Sequence, residues 1–208
     1  MSYLPLITTV TIIHLLAVIS PGPDFIMCVR NALTYSRKTG IWTAVGFGAG
    51  ISVHIFYCLA GLALVISKSI LVFNTIKLLG AAYLIYIGAK SIFSKSSVIE
   101  VGQQTKKEDI SPLEAIKIGF LTNALNPKAT LLFLSLFTMV ISPETPATIQ
   151  GIMSFIMIAN TIIWFSLVSV FFTQKKVRNV FEKFQNIFNR TFGGLLIALG
   201  VKVALSNK

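Results

Sequence analysis

Two long stretches of the chain, 41–67 and 145–174, contain no charged side chain. Each exceeds the roughly 20 residues that an α-helix needs to cross about 30 Å of hydrocarbon. Four further apolar segments can be drawn at 4–26, 70–93, 114–140 and 185–205, so the pattern predicts six membrane-spanning helices. These four carry polar defects: Asp24, Lys77, Lys128, and Arg190 with Lys202. Lys77, Lys90, Arg190 and Lys202 lie towards segment ends, where a long stem can carry its charge to the interface. Asp24 and Lys128 lie beside proline breaks instead, in Ser20-Pro21-Gly22-Pro23-Asp24 and Asn126-Pro127-Lys128. Proline removes a backbone donor and clashes with the preceding turn, so an apolar helix broken this way must satisfy its freed carbonyls with protein or water rather than lipid. Matched breaks, one in each half, point to a polar site built inside a membrane protein.

The polar stretch Ser94–Ser111 shows no apolar periodicity and divides the chain nearly in half. The expected organisation is a first three-helix repeat at 1–95, a cytoplasmic linker loop at 96–112 and a second three-helix repeat at 113–208. Ile87-Gly88-Ala89-Lys90 near the end of the third span matches Leu199-Gly200-Val201-Lys202 near the end of the sixth, and the same register sets Ala81-Ala82 against Gly193-Gly194. Because three is odd, the second repeat enters the membrane from the opposite side. The fold class is thus an all-α integral membrane protein, six transmembrane helices forming an inverted three-plus-three repeat with broken first and fourth helices. In the second span, Gly46, Gly50, His54 and Gly61 fall on one helical face, where small residues allow close packing and bring His54 to an interior surface. Gly46-x-Gly48-x-Gly50 lacks the strand-to-helix context and spacing of a phosphate loop.

Composition agrees with this pattern: 54% of residues are hydrophobic and only 12% charged. The formal net charge of +11 would suggest nucleic acid if it formed one patch, but it is spread over alternate loops. Arg30, Arg37 and Lys38 follow the first span, Lys95, Lys106 and Lys107 the third, and Lys175, Lys176, Arg178 and Lys183 the fifth. By the positive-inside rule these loops are cytoplasmic and both termini lie on the non-cytoplasmic side. The basic loops can also meet anionic lipid headgroups. No nucleic-acid partner is expected. The first basic residue is Arg30, so the first span lacks the basic start of a cleavable signal and is expected to be retained. Cys28 and Cys58 form neither a Cys-x-x-Cys pair nor a metal-ligand cluster and read as small apolar fillers.

Apart from Glu114 at the first position of the fourth, Asp24 is the one carboxylate within a predicted span. It can serve as a coupling or substrate-ammonium site, or as a cap on the helix continuing towards Arg30. Lys128 can hold a substrate carboxylate, pair with Asp24 across the repeat axis, or occupy the carbonyls freed by Pro127; the ion pair is the favoured reading of the three. Asn123 and Asn126 offer amides for a ligand or for broken backbone, with backbone the preferred role for Asn126. His54 and His14 can relay protons or simply pack, and His54 gains from its glycine-lined face. The candidate substrate-binding or translocation residues are therefore Pro21, Gly22, Pro23, Asp24, His54, Asn123, Asn126, Pro127 and Lys128. No catalytic set, cofactor motif or metal cluster accompanies them.

The segment Ser20-Pro21-Gly22-Pro23-Asp24-Phe25-Ile26-Met27-Cys28-Val29-Arg30-Asn31-Ala32-Leu33, the glycine-rich second span ending in Val53-His54, and the run Ile76–Gly88 resemble the LysE-type amino-acid exporters, homoserine/threonine (RhtB) branch. Gly119–Ala129 looks like that family's fourth-span motif, and Arg190 with Phe192–Lys202 like its last span. The resemblance covers nearly the whole chain. It implies a multi-pass protein of the bacterial inner membrane that exports small amino acids or their derivatives, with protons as the coupling ion and an oligomeric assembly. Ile51-Ser52 stands here where an acidic residue ahead of the histidine belongs to the family pattern, so an acid-histidine relay does not transfer. The rival readings are a metal-cation exporter of related fold, a thiol-redox membrane enzyme, and a structural membrane protein without transport.

Overall fold

The computed structural model describes residues 3–68, 70–93, 107–140 and 145–205, all of whose regular elements are helical. The linker residues up to 106, Glu144 and the last three residues lie outside the described part. Eight helices follow one another: α1 (Leu4–Ile19), α2 (Pro23–Thr34), α3 (Arg37–Lys68), α4 (Ile70–Phe93), α5 (Pro112–Ala124), α6 (Pro127–Val140), α7 (Ala147–Phe171) and α8 (Lys175–Leu205). Three of them, over Arg37–Gly61, Ala147–Phe171 and Lys175–Leu205, are long and apolar enough to cross a membrane. The pair α1 and α2 makes a fourth span if taken together across a 55° bend, and Leu78–Phe93 forms a shorter apolar helix. Large apolar side chains such as Phe56, Phe155, Ile163 and Leu71 stand exposed, as they must where lipid rather than water is the solvent.

Both proline motifs break helices where expected. α1 stops at Ile19 and α2 starts at Pro23; α5 stops at Ala124 and α6 starts at Pro127. Each second half thus opens with proline in its first turn, where the missing donor costs nothing. The outer boundaries differ from expectation in two places. α2 runs on to Thr34 because Phe25, Cys28 and Val29 pack against Ala44, Phe47 and Phe165. α8 begins at Lys175 rather than near 185, since its basic first turns also present Val177 and Phe181 to that same cluster. Charge made this stretch read as loop; an amphipathic stripe makes it helix.

The basic connections converge on one end of the molecule. Lys107 N–H bonds the Thr34 carbonyl at 2.8 Å, and the Asp109 carboxylate accepts from Ser36 Oγ at 2.9 Å and Thr39 Oγ1 at 3.1 Å. Arg37 Nε reaches Thr173 Oγ1 at 2.9 Å, joining the start of α3 to the α7–α8 corner. α5 starts beside them on an N-cap, the Ser111 side chain accepting from Glu114 N–H.

Between the ends, the most extensive helix pairings join the two halves: α4 along α8, and α3 along α5 and α7. Glycine sets the closest approaches. A Cβ on Gly46 would overlap the Ile116 carbonyl, and one on Gly119 would overlap that of Thr43. At the α4–α8 crossing, a Cβ on Gly88 would meet the Gly193 carbonyl at 2.6 Å and Ile197 Cγ1 at 2.7 Å; one on Gly200 would meet the Ala81 carbonyl at 2.8 Å and Ile85 Cγ1 at 2.7 Å. Gly61 takes no part in this close packing: among the described residues nothing lies within 4 Å of a Cβ added there.

Candidate functional site

The two breaks face each other, and each supplies what the other lacks. Lys128, in the first turn of α6, extends its ammonium to the end of α1. There it donates to the carbonyls of Ser20 at 2.9 Å, Ala17 at 3.4 Å and Pro21 at 3.5 Å, and its Nζ lies 5.5 Å from the centre of the Phe192 ring. A cation at a helix C-terminus compensates both the unpaired carbonyls and the negative end of the dipole. The favoured ion pair with Asp24 gives way to this cage, because the carbonyls freed at the first break lie within the reach of Lys128.

Asp24 lies in the first turn of α2, where the helix dipole favours its charge, but it is not the N-cap. Gly22 occupies the N-cap of α2 and no side chain caps that end. The Asp24 carboxylate turns instead to α5, where Asn123 Nδ2 donates to Oδ2 at 2.8 Å. Its other oxygen, Oδ1, is buried without a hydrogen-bond partner, and so is Asn123 Oδ1. A buried acceptor left unpaired costs about 1–3 kcal/mol, so two such acceptors together mark a place made for a donor.

Asn126 plays the expected backbone role: its Oδ1 accepts from Lys128 N–H at 3.0 Å. His54 is completely buried and serves the broken backbone as well. Its Nε2 lies 3.0 Å from the Asn123 carbonyl and its Nδ1 2.8 Å from Tyr57 Oη. A carbonyl only accepts, so Nε2 carries the proton and Nδ1 receives the Tyr57 hydroxyl. Gly50 leaves room for Asn123, whose Oδ1 would stand 2.7 Å from an added Cβ. His54 lines neither cavity described below; it acts by holding Asn123.

Two cavities flank this arrangement and share Ser20, Gly22, Phe25, Asn126 and Lys128 as a common wall. The inner one, about 30 Å³, is lined by His14, Asp24 and Asn123. The outer one, about 390 Å³, is bordered by Pro21, Pro23 and Pro127 and by Tyr83, Lys90 and Gln185 from α4 and α8. Tyr83 Oη donates to the Pro127 carbonyl at 3.4 Å. Gln185 is buried with Oε1 unpartnered. Every residue expected at the site from the two breaks therefore lines one cavity or both. Tyr83 and Gln185 were missed, although Gln185, Asn189, Phe192 and Leu196 fall on one helical face and signal a polar start to a buried stripe.

This geometry can hold a small zwitterion and offers no nucleophile beside a base. Residues 15–207 match the family described as LysE type translocator. The chain belongs to the LysE family. Its relatives include the uncharacterized membrane protein YrhP of Bacillus subtilis (strain 168), 35% identical over 198 residues that span 91% of this chain and 93% of that one. The threonine efflux protein of Escherichia coli (strain K12) is 28% identical over 208 residues, 98% of this chain and 99% of its own. No solved structure matches the chain. This LysE-family protein is accordingly a membrane transporter and not an enzyme. Its two cysteines fit that assignment: Cys28 and Cys58 are free and sit in different core clusters.

Proposed function

We propose that this transporter exports small amino acids across a bacterial inner membrane in exchange for protons. The observation that carries the reading is the pairing of opposite chemistries at the two breaks: an ammonium, Lys128, on one side of the shared wall and the unpaired acceptors Asp24 Oδ1 and Asn123 Oδ1 on the other. The outer cavity is large enough for a whole small amino acid, and Lys128 and Lys90 there favour its carboxylate. The inner cavity admits only the ammonium head, which the two free acceptors would receive. Threonine is the first substrate to try, given the name of the Escherichia coli relative.

Six spans in an inverted repeat, 1–95 and 113–208 joined by 96–112, fit the same reading. The Gly88 environment repeats at Gly200 with each neighbour replaced by its counterpart in the sequence register, Gly193 by Ala81 and Ile197 by Ile85. That reciprocity supports a two-fold axis between the halves, about which the repeats would rock to open the site to either side. The convergent basic corners favour a cytoplasmic end there and both termini outside. Reporter fusions should then read cytoplasmic at Gln174 and external at Glu144; a cytoplasmic reading at Glu144 would remove the inverted topology.

The metal-cation alternative is disfavoured because the described residues hold no group of three His, Cys, Asp or Glu side chains. The functional test is counterflow in proteoliposomes of the full chain. Vesicles loaded with unlabelled threonine, homoserine or serine should take up the labelled compound transiently, with no response to N-acetylthreonine, which lacks the ammonium. Flux of divalent cations without exchange of any amino acid would reverse the assignment.

A further inference from the structure

His14, on α1, is a buried polar side chain that the substrate reading leaves without work. It is only 1% exposed, and neither ring nitrogen has a hydrogen-bond partner. A neutral imidazole carries one donor and one acceptor, so burying both unpaired costs about 1–3 kcal/mol for each. Packing alone does not account for that. Phe133 stands between the two histidines, edge-on to His14 at 5.7 Å and stacked on His54 at 5.5 Å. His54 is fully bonded on its side of the ring, whereas His14 opens into the inner cavity that Asp24 and Asn123 also line.

Four buried, unpartnered polar atoms thus belong to residues that line a cavity of about 30 Å³: His14 Nδ1 and Nε2, Asp24 Oδ1 and Asn123 Oδ1. An ordered water needs about 10–15 Å³ and two to four polar partners, and the cavity supplies both. We infer that His14 and Asp24 share a proton through a water in the inner cavity, making this pair the proton-binding site of the transporter. The pair holds one proton in either of two forms, carboxyl with neutral imidazole or carboxylate with imidazolium. Passage between them moves one proton onto the water as another leaves it, so charge and atoms balance.

The inference rests on the transport reading and adds a coupling rule to it. Asp24 Oδ1 cannot accept the proton and a substrate ammonium together, so arrival of one displaces the other, as exchange requires. The other titratable group facing the cavity is Lys128 from α6, held on the α1 carbonyls; His54 from α3 stacks on the far side of Phe133 and does not line it, α1 supplies His14 alone and α7 contributes Phe165.

The chain contains two histidines, which makes the test direct and independent of transport. Full-length protein labelled with 15N-histidine in detergent or nanodiscs gives two imidazole spin systems. His14→Gln or His54→Asn assigns them, either variant sufficing. His14 should change protonation state between pH 5 and 9, and Asp24→Asn should move its titration curve by about one pH unit or more, the effect expected of a charged neighbour joined to it through one water. His54 should keep one tautomer, Nε2–H, throughout. A His14 spectrum unchanged across that range, or a titration that ignores Asp24→Asn, would overturn the shared site while leaving the counterflow result untouched.

Discussion

Gly119→Ala should leave little folded transporter in the membrane, while Gly194→Ala should leave its abundance near wild type. The difference is one of neighbours. At Gly119 the added methyl would overlap the Thr43 carbonyl on α3, whereas among the described residues nothing lies within 4 Å of a Cβ on Gly194. Overpacking a tight contact costs about 1–3 kcal/mol, and a helix carbonyl yields less readily than a flexible side chain, which puts this case at the upper end. Gly194→Ala carries only the ordinary helix preference of alanine over glycine, up to about 1 kcal/mol in the stabilising direction. Thermal unfolding of the detergent-purified proteins would compare them. The consequence reaches the site as well: Asn123 lies one turn beyond Gly119, so prising α5 from α3 draws it away from both Asp24 and His54. Equal unfolding temperatures for the two variants would mean that α3 and α5 are not in backbone contact.

Much of this arrangement was legible from residue types because proline, glycine and intramembrane charge leave strong local marks. Pro23 and Pro127 open helices in the structure as their missing donors require, and Asp24, Asn123, Asn126 and Lys128 do gather at the two breaks. What could not be read was which partner each would choose. Lys128 and Asp24 carry opposite charges and invite pairing, yet Lys128 is nearer to three carbonyls of the other half and Asp24 is nearer to Asn123. That choice depends on how the repeats cross, which no sequence spacing encodes. The partners of the two histidines were hidden for a related reason. His54 has the glycine-lined face, but those glycines let it bond Asn123; His14 has no such marker, and its unpaired nitrogens emerge only when α6 and α7 pack against α1. The start of α8 was hidden by its charge, since Lys175, Lys176 and Arg178 outweigh Val177 and Phe181 in any hydropathy window.

The zwitterion account meets its sharpest trial at Asp24. An asparagine there keeps the size and can still accept from Asn123, but its amide group then points two donors at the place where a substrate ammonium would bring donors of its own. The lost charge-assisted bond is worth about 1.5–3 kcal/mol, or roughly 10- to 150-fold in binding. Had Asp24 been a helix cap, asparagine would have served nearly as well; with Gly22 at the N-cap, that escape is closed. The measurement is threonine counterflow by wild type and Asp24→Asn in matched proteoliposomes, at labelled threonine well below saturation and with incorporated protein quantified. The account predicts exchange by the wild type and a fall of at least about tenfold in the variant; exchange by Asp24→Asn within twofold of wild type would contradict it.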